Sequence, residues 1–166
     1  MQLQKLFEIQ AAFEKEIVSN TSIEENVVGE ENVLDIHFLA LHVKIGELAN
    51  LTKCYKYYHV KPNLPKHKLV IRYSDVLRYL LSLGNRHQFN MIQTADLNTQ
   101  IESTDVIQVF SCIIDHMASL KKAIRNDHYV EALNLYITIF SYFVHLGSLL
   151  QLTEEDIQNH FETTQV

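Results

Sequence analysis

The sequence predicts an all-α fold, a bundle of five to six helices, and three observations carry that prediction. Only four glycines and two prolines interrupt the 166 residues. The chain is 47% hydrophobic and 20% charged, which is the balance of a packed globular protein rather than a disordered one. Its apolar residues recur every three or four positions, the period of one helix face. The length fits one domain covering residues 1–166, with enough material for a core.

The elements follow in order. Leu3, Leu6, Ile9, Phe13 and Ile17 make a first amphipathic helix that ends near Ser19 and Asn20. The polar stretch TSIEENVVGEEN links it to a long helix from about Asn32 to Tyr58. There Leu34, Leu41, Leu48 and Tyr55 repeat every seven residues beside Phe38, Ile45 and Thr52, and Pro62 and Pro65 close the element. A third helix runs from about Lys68 to Gly84, a C-terminal stop, with Tyr73, Val76, Leu77, Leu80 and Leu81 facing inward. Asp96 and Asn98 form turns before a fourth helix built on Val106, Val109, Phe110, Ile113, Ile114 and Met117 and ended by Arg125, Asn126 and Asp127. The fifth spans about Tyr129 to Leu146 and stops at Gly147; a short sixth starts at Thr153, where T-E-E-D approximates a capping box with Asp156. The matching endings YLLSLG and YFVHLG read as shared helix-stop signals rather than an internal repeat, because their flanks do not align.

Composition narrows the function. Fourteen basic and twenty acidic residues give a net charge of -6, so there is no overall electrostatic footprint for nucleic acid. Cys54 and Cys112 match no metal or redox spacing and suit a reducing compartment. No apolar run of membrane-spanning length is expected and the N-terminus has no signal-peptide core, so the expected location is cytoplasmic. Among nine histidines, His37 and His42 are five apart and His59 and His67 flank a proline turn, which gives no zinc-ligand spacing. Nucleophile-elbow and P-loop motifs are absent. The run KCYKYYHVK, residues 53–61, is an aromatic and basic strip that suits packing against a neighbouring helix or, within a nucleotide protein, stacking on a base.

Three stretches carry a family resemblance: LQKLFEIQAAFEKEI at 3–17, FLALHVKIGELANLTKCYKYY at 38–58 and IRYSDVLRYLLSLG at 71–84. Together they resemble the all-α dimeric dUTPases, relatives of the MazG-like nucleoside triphosphate pyrophosphohydrolases. The resemblance implies a homodimer, a deoxyuridine nucleotide as ligand, and Mg²⁺ held by E-x-x-E on one helix and E-x-x-D on the next. Carboxylates at i and i+3 share a helix face, so two antiparallel helices converge four of them on metal ions that activate water at phosphorus. Here the first motif reads Lys44-Ile45-Gly46-Glu47 and the second Arg72-Tyr73-Ser74-Asp75. Glu47 and Asp75 match; Lys44 and Arg72 replace anions with cations, which takes the cluster from a formal -4 to zero. Cross-interface pairs, Lys44 with Asp75 and Arg72 with Glu47, are the expected occupants of the metal's place.

The resemblance also implies Gln10, Asn50 and Lys56 as nucleotide-binding positions, each with a plainer role as a surface residue, a backbone partner or a snorkelling lysine. It implies a C-terminal tail with Lys, Asn and Arg on the phosphates, whereas no lysine or arginine follows Arg125. The expectation is an inactive homologue that binds a nucleotide or a protein partner, with Mg²⁺ weak or absent. One alternative is an active Mg²⁺-dependent dUTP diphosphatase making dUMP and pyrophosphate, with Asp35 or Glu31 compensating. Both lie two turns or more before Lys44, about 13 Å or more along the axis. The other alternative is a helical interaction module with no link to nucleotides.

Overall fold

The computed structural model describes residues 2–20, 29–56 and 64–163. They form α1 (Leu3–Asn20), α2 (Glu30–Thr52), α3 (Lys66–Arg86), a 3-10 turn at Thr94–Asp96, α4 (Val106–Arg125), α5 (Tyr129–Leu149) and α6 (Glu154–Thr163), with no strand among the described residues. The all-α prediction holds.

Helix α3 is the hub. It packs against α1, α2, α5 and α6, while α4 lies mainly along α5 and also touches α2. Its buried residues go round much of the helix, from Leu69 and Val70 through Tyr73, Val76, Leu77, Leu80 and Leu81 to Leu83 and Gly84. Arg78 sits among rings, its guanidinium 5.2 Å from Phe13 of α1 and 4.4 Å from Phe161 of α6, so one side chain clamps both outer helices to the hub. Desolvation there pushes the Arg78 pKa down.

Local signals explain two of the helix starts. Asp105 caps α4 by accepting from the Ile107 amide at 2.8 Å. The Thr153 and Asp156 capping box forms as read, with Asp156 N donating to Thr153 Oγ1 at 3.1 Å and Thr153 N to Asp156 Oδ2 at 3.0 Å.

Several expectations need correction. Helix α2 ends at Thr52, well before the prolines, because Lys53 takes a left-handed conformation with φ 54° and its amide closes the last turn on Ala49 and Asn50. Tyr55 therefore lies beyond the helix and is exposed, and the seven-residue seam stops at the buried Thr52. Ile114 and Ile17 also face outward, since the slots that α4 and α1 offer the core are filled by Phe110, Ile113 and Met117 and by Leu3, Leu6 and Phe7. Finally, α5 is long and apolar enough to cross a membrane by length and composition, against the expectation of no such stretch. Part of it lies inside the bundle, where Tyr136, Ile139, Phe140 and Phe143 are all buried.

Neither glycine of the two similar endings is a stop. Gly84 and Gly147 lie inside α3 and α5, and the left-handed residues that end these helices are Gln88 and Gln151, both with φ 60°. Phe89 N then donates to Gly84 O at 2.8 Å and Leu152 N to Gly147 O at 3.0 Å. The glycines serve packing instead. A Cβ on Gly147 would sit 2.7 Å from the Tyr73 hydroxyl, and one on Gly84 would meet the Tyr136 hydroxyl and, at 2.7 Å, Phe7.

Each tyrosine reaches across to the opposite helix. Tyr73 donates to Phe143 O at 3.0 Å and Tyr136 to Leu80 O at 2.7 Å, in each case the carbonyl four residues before the facing glycine. Burial pushes both phenol pKa values up, so both remain donors. Tyr73, Leu80, Gly84 and Gln88 each precede Tyr136, Phe143, Gly147 and Gln151 by 63 residues. The shared endings thus mark equivalent positions in two crossing helices that lock reciprocally, which goes beyond a shared stop signal.

Candidate functional site

Helices α2 and α3 run antiparallel, so Lys44 faces Asp75 and Glu47 faces Arg72. The i,i+3 spacing then puts each cation beside a carboxylate of its own helix as well. Lys44 Nζ lies 3.1 Å from Glu47 Oε2 and 3.7 Å from Asp75 Oδ2. Arg72 Nη1 lies 3.0 Å from Glu47 Oε2 and 3.3 Å from Asp75 Oδ2. The four groups close a ring of alternating charge in which one oxygen of each carboxylate serves both cations. Side-chain exposures of 25% for Lys44, 29% for Asp75, 36% for Glu47 and 43% for Arg72 put the ring at a half-open interface. Water screens it there, and its pairs hold orientation more than they stabilise the fold.

This donor set does not fit Mg²⁺. A hard dication needs several oxygen ligands in near-octahedral array, and the ring supplies two carboxylates already shared between two cations. A dication would also have to displace Lys44 and Arg72, which already lie within 3.0–3.7 Å of both carboxylates. Among the described residues no group of three or more His, Cys, Asp or Glu side chains gathers where a metal could be held.

The other singled-out residues lie at separate places. Asn50, at the exposed end of α2, accepts from Lys53 Nζ and Tyr55 Oη, both at 2.8 Å. Lys56 is exposed, with its ammonium 6.0 Å above the Tyr55 ring. The rest of the aromatic run, residues 57–61, lies outside the described residues. Gln10, read above as a surface residue in its plainer role, is instead 4% exposed on α1. Its Nε2 donates to Glu14 at 3.0 Å, while Oε1 is buried with no hydrogen-bond partner among the described residues. A buried acceptor left unpaired is costly, and a ligand donor would satisfy it.

Asp35 cannot reinforce the ring, because Lys121 and Arg125 of α4 pair with it. The Lys121 hydrogen bond, followed by the Coulomb attraction of both cations, holds its pKa below the usual carboxylate value. The side chain of Glu31 lies outside the described part. His42 and His116 turn Nδ1 onto the carbonyls of Phe38 and Cys112, each in its own helix, at 2.6 Å.

Ser74 was not anticipated. It sits next to Asp75, 1% exposed, and its hydroxyl has no hydrogen-bond partner among the described residues. A serine flanked by the inward Tyr73 and Leu77 was the available signal, since its place on α3 falls on the buried face.

A family model described as dUTPase matches residues 2–165. The comparison with curated proteins found no match. The comparison with solved structures found none either. Matched from its first helix to past its last, and all-helical in its described residues, the chain belongs to the all-α dUTPase family.

Proposed function

We propose that this chain is a non-catalytic member of its family that binds a nucleotide without hydrolysing it. The observation that carries the reading is the closed ring of Lys44, Glu47, Arg72 and Asp75. Family members generally use Mg²⁺, and water activation needs a metal or a base at the reacting phosphorus. Here the positions that the resemblance assigns to metal ligands pair with one another, and Asp35, one of the two candidate substitutes, is committed to α4. Retained nucleotide binding is supported by the buried, unpaired Oε1 of Gln10.

The family is typically oligomeric. A homodimer in the cytoplasm is the state we assign. Supporting it, Ile36, Leu39 and Val43 line one outward stripe of α2 at 52%, 66% and 51% exposure. Sedimentation of Leu39→Asp as the same species as the wild type would contradict that use of the stripe.

The catalytic claim is tested by pyrophosphate release from dUTP with Mg²⁺, for the wild type beside the double reversion Lys44→Glu plus Arg72→Glu. The wild type is expected at the protein-free background. Robust wild-type turnover would overturn the reading.

A further inference from the structure

The charge of the ring equals that of a metal-loaded site. Four carboxylates carrying two dications are formally neutral, and Lys44, Glu47, Arg72 and Asp75 are neutral with no ion bound. A polyphosphate chain approaching either site meets localised positive charge set among carboxylates, fixed on side chains in one case and carried by metal in the other. The difference is chemical: an ammonium and a guanidinium grip phosphate oxygens but do not acidify water.

Arg72 has the free valence for this grip. Both of its ring contacts use Nη1. A guanidinium carries five donors in a planar fork, so Nη2 and Nε still have donors to offer, and they have no acceptor among the described residues. At 43% exposure the outer edge of Arg72 is open to solvent.

The surrounding sequence adds to the attraction. Between Glu47 and Asp75 there is no Asp or Glu, and six of the chain's fourteen Lys and Arg fall in that stretch: Lys53, Lys56, Lys61, Lys66, Lys68 and Arg72. Lys66 is paired with Asp156 at 2.7 Å; the other described cations, Lys53, Lys56, Lys68 and Arg72, give this end of the α2 and α3 pair a locally basic character in a chain of net charge -6.

We infer that the ring binds the polyphosphate of a nucleotide without a divalent cation, Lys44 and Arg72 supplying as fixed charge what metal ions supply to a four-carboxylate site. The inference rests on the non-catalytic, nucleotide-binding reading and adds to it the mode of recognition. On binding, Arg72 turns its free fork to phosphate oxygens while the carboxylates hold both cations in place.

The test is calorimetric titration of the full chain with dUTP, and separately with inorganic triphosphate, in excess EDTA and again with Mg²⁺. Both probes are expected to bind in EDTA, with no gain in affinity from Mg²⁺. Arg72→Gln should lower affinity roughly tenfold or more, the effect of losing a charge-assisted bidentate contact, and Arg72→Lys should lower it less. The double reversion, with four carboxylates, should bind dUTP only when Mg²⁺ is present, and its recovery with metal shows that it is folded. Wild-type binding that requires Mg²⁺, binding of dUTP but not triphosphate, or binding indifferent to Arg72→Gln overturns the inference. Failure to bind either probe in EDTA by a chain that also leaves dUTP intact overturns this inference and leaves the absence of catalysis standing; hydrolysis by the wild type overturns the reading beneath it.

Discussion

Gly84→Ala is expected to destabilise the fold by about 2–3 kcal/mol, although alanine favours a helix interior by about 1 kcal/mol over glycine. The new methyl would enter the space of the Tyr136 hydroxyl and the Phe7 ring. Overpacking of this kind costs about 1–3 kcal/mol, and moving the hydroxyl off Leu80 O adds about 1–3 kcal/mol for a buried donor without a partner. Gly147→Ala should behave alike, since Tyr73 and Phe143 repeat the arrangement on the other helix. For a chain of this size the melting temperature should fall by roughly 5–10 °C.

Two comparisons sharpen the expectation. Gly46 has open space where its Cβ would go, so Gly46→Ala should leave stability unchanged or raise it by about 0.5–1 kcal/mol. Tyr136→Phe makes room at Gly84, so Gly84→Ala should cost less in that background, a coupling that a double-mutant cycle reads directly. A Gly84→Ala protein as stable as the wild type would remove the reciprocal lock from the account.

Reversion of the ring should have the second large effect. With Lys44→Glu and Arg72→Glu, four carboxylates would occupy positions whose present contacts are 3.0 to 3.7 Å. Like charges at such separations repel by about 4 kcal/mol per pair at an effective dielectric of ~20, before side chains turn away and solvent screens them. The net cost expected at this half-open site is about 1–3 kcal/mol in metal-free buffer, seen as a lower midpoint in urea. Mg²⁺ should restore it, because an ion that binds only the folded state stabilises by mass action, about 2.7 kcal/mol at a hundredfold excess over its dissociation constant. The wild-type midpoint should not respond to Mg²⁺. A reversion whose stability ignores Mg²⁺ would count against these positions as a former metal site.

Much of this was legible because local rules govern it. Helix α4 runs over Val106–Arg125, with its stop at Asn126 and Asp127 where the sequence placed it. Lys44 near Asp75 and Arg72 near Glu47 could be expected because the family resemblance implies that the two helices pack antiparallel, which leaves few other ways to pair i,i+3 charges. What depended on a second element was harder to read. Periodicity nominates both Ile113 and Ile114 for the core, and only the position of α5 decides that Ile113 goes in. Glycine near a helix end usually signals a stop, and no local signal separates that role from room for a tyrosine on a helix some sixty residues away.

Gln10 shows the same limit. An isolated glutamine in an amphipathic helix looks solvated, and its burial follows from the packing of α1 on α3, which composition does not reveal. Arg78 was passed over because a charge one turn beyond Asp75 looks like surface decoration. Its place between Phe13 and Phe161 requires α1 and α6 to arrive from opposite ends of the chain.

The central claim is that a ring of ion pairs stands where the family resemblance places a metal cluster. Calorimetric titration of the wild-type chain with Mg²⁺ tests it most directly, with the double reversion alongside. The account predicts no saturable heat for the wild type and a saturable isotherm for the reversion. Stoichiometric Mg²⁺ binding by the wild type, abolished by Glu47→Gln or Asp75→Asn, would contradict it.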